Sequence, residues 1–127
     1  MGIIFRAADS LSSVITQAAK QSYEQAWAAY QTYINNPTHR HVENNERTIN
    51  RLGYIYLEQK DVATAIVLFK LNTAAYPESA NAYDSLGDGY EAAKDERNAL
   101  DAYKKSVQLN PDNEHAKREI VRLENSR

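Results

Sequence analysis

Ile49-x-x-Leu52-Gly53-x-x-Tyr56, followed by Ala65, Phe69 and Pro77, is written again 34 residues later as Tyr83-x-x-Leu86-Gly87-x-x-Tyr90, followed by Ala99, Tyr103 and Pro111. Seven positions match in chemical type and five are identical. A fixed period of this length marks one supersecondary unit stacked on a copy of itself. Within each copy the apolar residues recur at three and four, which is helical spacing. Four helices in two antiparallel pairs are expected, over 46–59, 62–75, 80–93 and 96–109. Pro77 and Pro111 close the pairs, because the residue before a proline avoids helix. Glu78-Ser79 and Asp112-Asn113 supply the next starts.

The repeated residues are mechanical. Gly53 and Gly87 remove a side chain where the first helix of a pair presses on the second, and Ala65 and Ala99 are small on the facing helix. Small opposing residues let helix axes approach closely. Leu52, Leu86, Tyr56 and Tyr90 fill that layer, and Phe69 and Tyr103 pack between one pair and the next.

Outward from the doubled stretch the pattern weakens. Residues 11–34 contain no Gly or Pro, and Asp9 and Ser10 are good cap residues before them. Two helices are read here, over 9–20 and 22–35, with one continuous helix as the alternative. Residues 36–45 are polar and turn-rich, the longest linker of the chain. A last helix over 113–125 carries Ala116, Ile120 and Leu123 on one side and Lys117, Arg118, Glu119, Arg122 and Glu124 on the other. One apolar stripe and one charged face suit the cap of a stack.

Composition sets the outer bounds. With 127 residues the chain is expected to be one domain, 1–127. A net charge of -2 gives no electrostatic case for nucleic acid, so that partner is not expected. There is no cysteine, which excludes disulfides and thiolate metal sites. No apolar run is long enough to span a bilayer, so no membrane partner is expected. Met1-Gly2-Ile3-Ile4-Phe5-Arg6 is too short in its apolar part for a signal peptide. The expected location is cytoplasmic, or periplasmic or secreted if an export signal has been removed.

The doubled motif resembles the tetratricopeptide repeat. The resemblance covers 46–79 and 80–113 as two full repeats, with 114–125 as the capping helix and 9–35 as a degenerate helical hairpin, or else an unrelated cap. It implies an all-α fold of antiparallel helix pairs stacked in a right-handed superhelix. Ile49 and Tyr83 stand where the family often has Trp, and Asn72 and Ser106 where a small apolar residue is usual. Lys60 and Lys94 hold the inter-helix turn where Gly is common, a strained choice if the residue is left-handed. A narrower likeness joins Leu71-Asn72 and Tyr76 through Gly87 to the repeat tails of bacterial serine hydrolases of the β-lactamase and esterase type. No Ser-x-x-Lys or Gly-x-Ser-x-Gly nucleophile motif accompanies it.

In this family the first helix of each pair lines a concave groove. The resemblance therefore implies a protein or peptide partner and no enzymatic activity, held by Arg47, Asn50, Arg51, Tyr54, Asp84, Asp88 and Glu91. Asp84, Asp88 and Glu91 share one helical face and repel unless cations answer them. Arg47 and Arg51 are the expected answer, in an internal network. The competing readings are an acidic strip for a Lys- or Arg-bearing peptide and, with the EF-hand loop pattern absent, a hard-metal site for Ca²⁺ or Mg²⁺. The carboxylate-gripping set of chaperone-binding relatives is not present, since Asn50, Tyr54, Ser85 and acidic residues hold its positions. Tyr54 is expected to project from the groove as an aromatic anchor.

His39 and His41 are read as solvated loop residues and His115 as exposed, so no metal and no cofactor is expected. Most of the nine tyrosines fall at packing positions, and Trp27 is expected to be partly buried. The alternative function is an accessory or structural domain whose groove serves intramolecular packing or self-association, with Ile3-Ile4-Phe5 as the covering segment and a homo-oligomer as the consequence.

Overall fold

The computed structural model describes residues 10–39 and 45–126. Seven α-helices and one 3-10 turn run in order among these residues: α1 Leu11–Ala19, α2 Tyr23–Asn35, the turn Pro37–His39, α3 Asn45–Glu58, α4 Val62–Ala75, α5 Ala80–Ala92, α6 Glu96–Leu109 and α7 Glu114–Asn125. Among the described residues there is no strand. Asp9, His41 and the Ile3-Ile4-Phe5 segment lie outside them.

Local chemistry places each boundary. Ser10 and Ser22 are extended and accept hydrogen bonds from the N–H groups of Ser13 and Gln25, so α1 and α2 are separate helices. Asp61, Ser79, Asp95 and Asn113 cap α4 to α7 in the same way. The turns inside the two repeated pairs are identical. Asp61 N–H donates to Tyr56 C=O and Lys60 N–H to Leu57 C=O, and Asp95 and Lys94 repeat this with Tyr90 and Glu91. This is the double closure of a Schellman turn, whose central residue is left-handed. Lys60 and Lys94 therefore sit at φ 68° and 61°, with a Cβ where glycine would carry none.

Packing follows from the small residues. A Cβ on Gly53 would overlap the edge of the Phe69 ring at Cε1, and one on Gly87 would lie 2.5 Å from Tyr103 Cε1. The nearest neighbours of these glycines are thus the rings of Phe69 and Tyr103, while Ala65 and Ala99 are fully buried nearby. Phe69 also reaches the next pair, where a Cβ on Gly89 would lie 2.9 Å from its Cδ2. One ring is clamped between glycines of successive first helices, which joins the pairs at the short end of helix–helix distances.

Asn72 and Ser106 have a role that their departure from small apolar residues conceals. Both are fully buried. Asn72 Nδ2 donates to Glu46 C=O at 3.1 Å, and Ser106 Oγ donates to Ala80 C=O at 2.7 Å. Glu46 and Ala80 are one period apart, as are Asn72 and Ser106. The second helix of each pair is thereby pinned to the first turn of the first helix.

The N-terminal hairpin departs from the repeat. α4 packs on α5 and α6 on α7, but α2, beyond its own hairpin partner α1, packs chiefly on α4, and α1 touches α3 and α4. Leu11, Val14, Ile15, Ala18, Tyr30 and Tyr33 join Ile49, Leu52, Leu68 and Leu71 in one core. Trp27 is half-buried and stacks on Tyr30 with ring centroids 5.8 Å apart. His39 is not solvated as expected. It is 7% exposed, its ring stacks on Tyr33 at 3.8 Å, and its Nδ1 lies 2.9 Å from Tyr33 C=O, because the 3-10 turn folds it back on the end of α2.

Candidate functional site

The first helices α3 and α5, and α7 after them, bring one run of side chains together. Tyr54 of α3 donates its hydroxyl to Asp88 Oδ2 of α5 at 2.5 Å and lies 3.2 Å from Ser85 Oγ. Tyr103 of α6 reaches the same carboxylate, donating to Asp88 Oδ1 at 2.5 Å, with Glu91 Oε2 3.0 Å from its hydroxyl. Asp84 accepts from Asn113 Nδ2 at 3.1 Å and from His115 Nδ1 at 2.8 Å. Glu91 is ion-paired with Arg122, which also donates to Glu119.

The three acids of α5 are therefore answered, as an internal network requires, but from an unexpected side. The expected cations were Arg47 and Arg51 on α3. Arg51 is exposed and makes no such pair among the described residues, and Arg47 is also exposed. The cations that reach the acids are His115 and Arg122 of α7. His115 is correspondingly only half-exposed, at 43% of its side chain, and its ring meets Tyr103 edge-on.

Tyr54 is half-buried rather than projecting. Its ring packs edge-on against Phe69 at 5.0 Å and its hydroxyl is committed to Asp88. Asn50 is half-buried, and its Oδ1 is enclosed without a partner among the described residues.

α7 belongs to this face, and the sequence carried a signal for it. His115, Arg118 and Arg122 follow Asn81, Asp84 and Asp88 by the same 34 residues. The period continues through α7 on its polar side, although the Leu-Gly-Tyr residues do not recur there. Lys117, Val121 and Glu124 stand where Tyr83, Gly87 and Tyr90 would be repeated. Val121 is 57% exposed, with no helix packed over it among the described residues.

The electrostatics follow the burial. Burial raises the Tyr103 hydroxyl well above its ordinary value, helped by its bond to Asp88 and by the charges of Asp88, Glu119 and Asp84. Tyr54 is raised by burial and by its bond to Asp88, with the Ser85 contact opposing. Both phenols remain proton donors at any ordinary pH. For His115 burial opposes the charge, but the bond to Asp84 and the charges of Asp84, Asp88 and Glu119 outweigh it and raise its value. One ligand atom each from Asp84, Asp88 and His115 lies within 4.8 Å of the others. Asp88 accepts from Tyr54 and Tyr103, and Asp84 from Asn113 and His115, so the trio is part of a hydrogen-bonded network.

Stacked helix pairs with first helices sharing one polar face define a helical-repeat solenoid of the tetratricopeptide type. Residues 80–113, which are α5 and α6 with their turns, match the family model for the tetratricopeptide repeat. No curated protein matches the chain. Among solved structures it is similar to a MamA point mutant, at 17% identity and a TM-score of 0.66 over 96% of this chain and 85% of that one. It is also similar to the first TPR of Spaghetti (RPAP3) bound to the HSP90 peptide SRMEEVD, at 20% identity and a TM-score of 0.62 over 91% and 89%. A further match is the crystal structure of MamA, at 23% identity and a TM-score of 0.60 over 97% and 66%. At these identities the likeness is one of fold. No helix among the described residues is long and apolar enough to cross a membrane.

Proposed function

We propose that this protein is a non-enzymatic interaction module that receives a peptide or protein segment on the concave face of a short superhelix. The residues assigned to that face are Arg47, Asn50, Arg51, Tyr54, Asp84, Asp88 and Glu91. The observation that carries the reading is the polar run from Tyr54 through Asp88, Tyr103 and Glu91 to Arg122, which ties α3, α5, α6 and α7 into a preformed surface. A preformed surface lowers the ordering cost of binding. The roles divide. Asp84, Asp88, Glu91 and Tyr54 act as the framework that spaces the helices, while Arg47, Asn50 and Arg51 meet the ligand. A solved relative in fold holds an HSP90 peptide, which supports this use of the surface. The clustered carboxylates lie on a helical face committed to tyrosines and α7, an arrangement that supports a binding role over catalysis.

The same reading takes 1–127 as one domain, with repeats at 46–79 and 80–113, a degenerate hairpin at 9–35 and a cap at 114–125. The test is selection of peptides from a random library, followed by mapping of amide shifts. Shifts centred on Arg47, Asn50, Arg51 and Asn81, weakened at least about tenfold by Arg51→Glu, support the groove. Shifts confined to the outer faces of α4 and α6 reject it.

A second reading is favoured by Val121, an apolar residue of α7 that is 57% exposed among the described residues. In it the chain is an accessory or structural domain, descended from a hydrolase tail, that associates through its ends. The family model and the solved structures named above lend no support to the hydrolase ancestry. Light scattering separates the two: a monomer at all concentrations removes self-association.

A further inference from the structure

α7 is held by two kinds of contact on its two sides. Ala116, Ile120 and Leu123 pack with Ala99, Leu100 and Tyr103, a seat that protons do not alter. The polar side runs to α5, and one of its contacts changes with protonation. His115 Nδ1 lies 2.8 Å from Asp84 Oδ1, and its Nε2 lies 4.0 Å from Asp88 Oδ1 and 3.9 Å from Glu119 Oε1. The groups facing the ring are Asp84 and Asp88 from α5, the edge-on ring of Tyr103 from α6, and Glu119 from its own helix. Arg122, the cation nearest along this side, is itself held by Glu91 and Glu119.

An imidazolium offers a proton from each nitrogen to these carboxylates. A neutral imidazole offers one and turns a lone pair toward the other side. Loss of the proton also leaves Asp84, Asp88 and Glu119 facing one another without the charge between them. We infer that His115 is a proton-operated latch: as imidazolium it draws the polar side of α7 tightly against α5, and as a neutral ring it loosens that side, leaving the Arg122–Glu91 and Asn113–Asp84 contacts and the apolar seat on α6. The statement about α7 goes beyond the groove reading. Its consequence, that the third wall of the concave face shifts with pH, rests on that reading.

The direction is fixed by linkage. The carboxylates raise the folded-state value of His115 above its ordinary 6.5. The latch is then fully engaged below that ordinary value and is lost as pH rises through the raised one.

The test uses the whole protein. The three histidine rings are titrated by NMR, with His115 assigned by its absence in H115Q. Amide-exchange protection of residues 114–125, corrected for intrinsic exchange, is followed over the same pH range against residues 80–109. His115 is expected to titrate above 6.5, with α7 protection falling in step by up to about tenfold for each unit of elevation. H115K carries a lasting cation and is expected to hold α7 across the range, and H115Q to show low protection throughout. A ring that titrates at or below 6.5 overturns the latch, as does α7 protection that stays flat through the titration, or H115K following the wild-type curve. If H115Q loses α7 altogether, the wild-type and H115K curves decide without it. A groove that binds no peptide leaves these readouts untouched, so failure of the latch and failure of the groove reading are separately visible.

Discussion

Tyr54 and Asp88 hold the same position in successive helix pairs, 34 residues apart, and are hydrogen-bonded to each other at 2.5 Å. A repeat whose two copies differ at one position has used the difference to join itself. Tyr103 takes the second oxygen of the same carboxylate. Tyr54→Phe is expected to cost about 1–2 kcal/mol, the range for a bond to a charged group that is only part-buried. Asp88→Asn should cost more, since it weakens both bonds. Urea denaturation of the two single variants and the double variant checks this: the double should cost less than the sum, because the two changes share one bond.

Gly53 makes room for a ring rather than for a turn. Gly53→Ala places a Cβ in steric clash with the edge of the Phe69 ring and should cost about 1–3 kcal/mol through overpacking, against a helix-propensity gain of about 1 kcal/mol. Phe69→Leu removes the obstructing ring at its own cost in core packing. Stability measurements on the single and double variants should show Gly53→Ala costing markedly less when combined with Phe69→Leu than in the wild type.

Lys60 and Lys94 are left-handed at Schellman turns that would suit glycine. Each Lys→Gly replacement relieves about 1 kcal/mol of Cβ strain and returns part of it through the freer unfolded chain. A net gain of about 0.5 kcal/mol per site is expected, seen as a rise of a few degrees in Tm. The two turns share no partner, so the double variant should show nearly the sum.

Asn72 and Ser106 pin equivalent helices by different donors. Asn72→Ala should cost about 1–3 kcal/mol, because Glu46 C=O loses this donor in a buried setting. Asn72→Ser removes much of the same bulk but keeps a hydroxyl, and also removes the enclosed Oδ1 that has no partner among the described residues. Chemical denaturation should place the serine variant clearly above the alanine variant.

The helices were legible because each boundary is local chemistry. Ser22, Asp61, Ser79, Asp95 and Asn113 cap their own helices within three residues, and the Leu-Gly-Tyr pattern shows which face is inward. The expected pairs over 46–59, 62–75, 80–93 and 96–109 agree with α3 to α6 within a residue at each end. His39 was misread because composition marks its segment as a loop, while its burial against Tyr33 is a contact that composition does not carry. The docking of the first hairpin on α4 was likewise hidden, since a linker sets reach but not register.

By itself the sequence determined an all-α stack with a 34-residue period, two small-residue contacts per repeat and no cysteine chemistry. Those properties repeat along the chain, so periodicity alone reveals them. The tertiary structure decided which charges meet. Arg47 and Arg51 precede the acids of α5, and His115 and Arg122 follow them, at similar separations along the chain. Sequence spacing does not choose between a helix on one side and a helix on the other. The packed position of α7 does, because an ion pair depends on the few ångströms that separate side chains once the helices are docked.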